Sequence, residues 1–172
     1  MKYNTESIKI YVVIFILILS IVAVSTNYWS INTITLNNDP DSIISNSIKS
    51  DYGLWNFCQS QGNNRKTCIN TMDISSNNLK NLKTVRMLSI SSLVLIALSL
   101  YLLYSMPNQN EYFILCIVLA GILSIISVIL WNNDPAFKNI IGDIKHGYSW
   151  YLELISGLIA ILLGILTQFN II

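Results

Sequence analysis

At 172 residues the chain has the length of one ordinary domain, but 53 % of it is apolar and only 11 % is charged, where about 25 % charged is usual for soluble domains. Its 10 basic and 9 acidic side chains leave a net charge of +1, which excludes a basic field for nucleic acid. The charges also avoid four long segments, so this chain is built to be solvated by lipid.

Residues 1–9 are a short polar lead with Lys2, Glu6 and Lys9. The first apolar segment, about 8–27, has a rival reading as a signal peptide. Lys2 and Lys9 precede it, and Ala23-Val24-Ser25 resembles a cleavage site. The Tyr28-Trp29 pair behind it favours a retained helix ending in an interfacial aromatic anchor. Three further apolar segments span about 85–104, 112–131 and 149–169. About 20 apolar residues carry a helix across a ~30 Å hydrocarbon core. Backbone groups in lipid must pair internally, and none of these runs alternates as barrel strands would. The expectation is an all-α membrane bundle of four transmembrane helices, forming one domain over residues 1–172.

Between the first two helices lies a large polar loop, about 28–84. β-branched residues predict a strand at 30–36, with further candidates at 43–48, 52–57 and 67–72. Asn37 to Asp41 and Gln61 to Asn64 have turn composition. Residues 73–83 predict a short polar helix capped by Asp73 or Ser75. The Pro107 turn forces the second and third helices to be antiparallel neighbours. A smaller loop, about 132–148, falls on the same side as the large one.

Four crossings place both termini on one side and both loops on the other. Lysine and arginine counts help little, and Lys80, Lys83 and Arg86 on the loop side slightly oppose cytoplasmic termini. The cysteines decide. Cys58 and Cys68 share the polar loop, and His146 is the one histidine, so a metal site is not supported. The pair is a disulfide or two idle thiols. The disulfide is the preferred reading, which puts the loop in an oxidising compartment and the termini in the cytoplasm. Cys116, mid-way along the third helix, reads as a small buried hydrophobe.

Trp29, then Gly53-Leu54-Trp55, two residues, Cys58, nine residues and Cys68 resemble the signature of the claudin superfamily. That superfamily includes the peripheral myelin and epithelial membrane proteins and the gamma-type channel auxiliary subunits. Arg86, Trp131 and the run His146-Gly147-Tyr148-Ser149-Trp150 are similar to family features at the helix ends. The resemblance implies a left-handed four-helix bundle carrying an antiparallel extracellular sheet, with four strands from the large loop and one from the small loop. It implies that Trp29, Gly53, Leu54 and Trp55 tack the sheet to the helices, and that the disulfide joins the last two strands of the large loop. There are departures. Ile69 follows the second motif cysteine where pore-forming claudins often carry an acid, implying weak charge discrimination. No glycosylation sequon occurs. Only Asn170 to Ile172 follow Phe169, so scaffold recognition through the C-terminus is not expected.

Ser156, Ala160 and Gly164 recur every four residues on the fourth helix. Small residues let membrane helices approach closely, and packing within the bundle, against Ala120, Gly121 and Ser124, is preferred to dimerisation. Glu153 is an intramembrane acid, a functional suspect by default. Its preferred reading is structural: near a helix start, within reach of water, with Arg86 or Lys145 as partner. No catalytic set is visible, and neither cofactor nor metal is expected. The functional expectation is a multi-pass plasma-membrane protein for adhesion or lateral assembly, possessing no enzyme activity. Its partners would be the lipid bilayer and copies of itself or related tetraspan proteins. Modulation of an ion-channel subunit and organisation of membrane domains are the alternatives.

Overall fold

A computed structural model describes residues 5–36, 46–61, 65–71, 81–106, 110–135, 143–169 and 171. Four long helices stand among them: α1 (Thr5–Ser25), α2 (Leu82–Ser105), α3 (Asn110–Asn132) and α4 (Tyr148–Gln168). Each is long and apolar enough to cross a membrane. Their outer faces carry large apolar side chains such as Phe15, Val94, Leu115 and Leu162. Their inner faces pack as a ring, α3 between α2 and α4, with α1 closing against α4 and α2.

Glycine sets the tightest seam. A Cβ on Gly121 would sit 2.6 Å from the Gly157 carbonyl oxygen, so α3 and α4 approach backbone to backbone there. One turn further along α4 Ala160 is fully buried, and a Cβ on Gly164 would lie 2.4 Å from Val118 Cγ2. Ser156 Oγ, also buried, accepts a hydrogen bond from Ser20 of α1 at 3.1 Å.

A five-stranded antiparallel sheet crowns one end of the bundle. It comprises β1 (Ser30–Leu36), β2 (Asn46–Tyr52), β3 (Asn56–Gln61), β4 (Thr67–Asn70) and β5 (Asp143–His146), in the order β4-β3-β2-β1-β5. Four strands come from the large loop and one from the small loop. Two strands are displaced from their expected places. The second lies at Asn46–Tyr52 instead of 43–48, and the third at Asn56–Gln61 instead of 52–57. The cause is a corner at Gly53-Leu54-Trp55. Tyr52 pairs with Phe57 across it, and the Gly53 N–H donates to the Asn56 carbonyl at 3.0 Å. Residues 43–45 of the expected second strand, the turn at 37–41, residues 62–64 of the turn at 61–64, and residues 73–80 of the expected polar helix fall outside the described residues.

Candidate functional site

The candidate site is the junction of sheet and bundle. A helix leaves its last carbonyls without partners, and α1 ends against the sheet. Thr26 Oγ1 donates to Val22 O at 2.7 Å, Trp29 Nε1 to Ala23 O at 2.9 Å, and Trp55 Nε1 to Val24 O at 2.8 Å. Two indoles and a hydroxyl therefore satisfy three successive carbonyls, while the rings fill the space below. Trp29 is fully buried, its ring 5.3 Å from Trp131. It is a core residue here and not a lipid-interface anchor. Trp131 Nε1 donates in turn to Ser30 Oγ at 2.8 Å.

The corner at 53–55 needs its glycine. A Cβ on Gly53 would stand 2.4 Å from Asn27 Cα, so β2 can pass the end of α1 only without a side chain. Leu54 behind it is fully buried in the cluster of Val24, Trp29, Val85, Val128 and Trp131. Arg86 of α2 holds the corner from below. Its Nε donates to Leu54 O at 2.7 Å, its Nη2 bonds Thr71 Oγ1, and its Cζ lies 5.2 Å from the Trp55 ring, a cation–π distance. Thr71, just past β4, contributes its own N–H to Trp55 O at 2.9 Å. Thus Arg86 is committed upward to the corner. Glu153, expected to pair with Arg86 or Lys145 and to be wet, is instead fully buried. The ion pairs among the described residues are Lys9–Glu6 and Lys66–Asp51.

Cys58 and Cys68 face each other in the β3–β4 register and are joined by a disulfide. Cys58 points into the sheet's covered side, and every residue of β4 is exposed. Asp51, paired with Cys58 and so on the same face of the sheet, belongs to an electrostatic cluster. Lys66 Nζ lies 2.5 Å from Asp51 Oδ2 and 4.8 Å from the Tyr28 ring centre. The hydrogen bond that Lys66 donates to Asp51 holds its ammonium above the usual lysine range. Burial raises the Tyr52 hydroxyl above the usual tyrosine value.

Sequence reasoning missed Thr71 and Asn81, and named Gly147 only within the run that opens the fourth helix. A Cβ on Gly147 would lie 1.9 Å from the Tyr28 carbonyl oxygen, which accepts the Ser149 N–H at 3.1 Å and so supplies a partner at the start of α4. Asn81 ties α2 to α3 through its N–H to Asp134 Oδ2 and its amide to Leu130 O. Polar residues whose partners are backbone groups leave no periodic signal in a sequence. A glycine beside a helix start does leave one. Chemically the junction is a clamp. No group of three or more metal-ligating side chains occurs among the described residues.

The family model described as PMP-22/EMP/MP20/Claudin family matches residues 7–167. A search of the curated proteins returns no match.

Proposed function

The chain belongs to the PMP-22/EMP/MP20/Claudin family, and on that premise we propose that it is a plasma-membrane tetraspan that works without catalysis, by adhesion or lateral assembly through its sheet. Residues 1–172 act as one unit, with the termini cytoplasmic and both loops extracellular. The disulfide supports that orientation, because an oxidising compartment is where such a bond persists. Trp29, Gly53, Leu54, Trp55 and Arg86 serve to fix the sheet on the bundle, and Ser156, Ala160 and Gly164 serve to close α4 onto its neighbours.

The observation that carries this reading is the state of β4. It is an edge strand, paired with β3 alone among the described strands, and such an edge can template pairing with another chain. It also presents Ile69, 52 % exposed, on a strand pinned by the disulfide and by Thr71. A rigid edge with an exposed apolar side chain suits pairing with a second copy or a related tetraspan. Channel modulation and membrane-domain organisation are other uses of the same edge.

The test is distribution in a mixed monolayer of expressing and non-expressing adhesion-deficient cells. Enrichment at borders between two expressing cells is expected, with loss of enrichment in Ile69→Lys at equal surface amount. Even distribution along all borders would count against adhesion. Co-purification of a channel polypeptide in stoichiometric amount would favour the modulator.

A further inference from the structure

The interior of the bundle is not apolar throughout. One apolar cluster, with Val13, Ile16, Ile96 and Phe113, fills the half far from the sheet. The other, around Trp29, Val85 and Trp131, lies beneath the sheet. Between them in sequence, on every helix, comes a buried hydroxyl: Ser20 on α1, Ser89 and Ser92 on α2, Ser124 and Ser127 on α3, Ser156 on α4. Glu153 belongs to this layer. It lies one turn from Gly157, whose missing Cβ would stand 3.0 Å from Ser124 Cβ, so the carboxyl shares the α3–α4 seam with Ser124.

Most of the layer is already paired. Ser92 and Ser124 share a hydrogen bond of 2.7 Å, and Ser92 also donates to Ala120 O at 2.9 Å. Ser127 donates to Ser124 O at 2.7 Å, and Ser156 to Glu153 O at 2.8 Å. What remains without a hydrogen bond is Glu153 Oε1, Glu153 Oε2 and Ser89 Oγ. Among the described residues, the neighbouring elements offer no free cation to the layer. Arg86 is bound to the corner, Lys145 on β5 is exposed, and His146 is stacked on Trp150 at 4.2 Å.

An unpaired carboxylate sealed at lipid depth costs several kcal/mol. Hard metal ions such as magnesium or calcium take about six or more oxygen ligands, and three free oxygens are too few. A proton needs one. It also makes the acid both a donor and an acceptor, so that it can pair with hydroxyls and helix carbonyls of the layer without a buried charge. We propose that Glu153 is a proton-binding site within the membrane, occupied in the folded bundle, whose O–H keys α4 to the hydroxyls of α2 and α3. This does not depend on what the sheet contacts.

Infrared spectroscopy of the full chain in lipid nanodiscs at neutral pH tests it. A carboxylic-acid carbonyl band is expected that shifts in D2O and disappears in Glu153→Gln, a variant matched in shape and neutral. If that variant does not fold, wild-type protein with carbon-13 in the glutamate carboxyls serves, because its three glutamates include Glu6 and Glu111 near helix ends. The band should then move by the isotope shift and be unchanged when sodium replaces potassium. Absence of the band in folded protein, persistence in Glu153→Gln, no isotope shift, or loss on adding sodium would each overturn the assignment.

Discussion

A single methyl group at Gly53 would place a carbon 2.4 Å from Asn27 Cα, against backbone that cannot swing aside. Gly53→Ala should therefore destabilise by about 1–3 kcal/mol, the usual penalty for forced overpacking, and thermal unfolding in detergent measures it. Lys66 acts differently. Asp51 is buried beneath it and Lys66 is partly open to water. Lys66→Ala should cost about 1 kcal/mol after allowance for solvent screening. The sign with pH follows from the raised lysine: its contribution is complete below the ordinary lysine range and is lost as pH rises through the raised value. A comparison of wild type and Lys66→Ala should show a constant gap through neutral pH that closes only in strong alkali. At this scale the sequence marks residue types and not partners. Trp29 is equally apolar as an interface anchor and as a core residue. Only the position of α1's last carbonyls turns its indole inward.

The helices were legible because lipid makes hydrophobicity itself the signal. Four expected spans differ from the observed ones by a few residues at each end. The sheet was legible in strand number and less so in position. β2 and β3 are polar strands, Asn46–Tyr52 and Asn56–Gln61, and their register follows from pairing with β1 and from the Gly53 corner. β-branched composition drew the expectation to 43–48, since propensity reports packing surface more than backbone preference. The β3–β4 hairpin makes its own prediction. Its disulfide spans 10 residues of sequence, and a loop of this length is worth roughly 2–3 kcal/mol in the chain-entropy model. Cys58→Ser and Cys68→Ser should each lose about that much. The double variant should lose no more than either alone, because one bond is removed in all three. Additive losses in denaturant or thermal unfolding would contradict a shared bond.

Across the molecule, the α1 terminus, the 53–55 corner, Arg86 and Thr71 form one continuous set of contacts between bundle and sheet. The sheet is thus held by the helices that cross the lipid, and its outer edge is left exposed. A photo-crosslinking amino acid at position 69 tests that edge most directly. In cells joined by the full chain, it should yield an adduct of twice the monomer mass, whose peptides all come from this chain or a related tetraspan. The same probe at Leu115, on the lipid-facing side of α3, should not. A position-69 probe that stays monomeric at contacts, or captures only an unrelated polypeptide, would contradict assembly through β4.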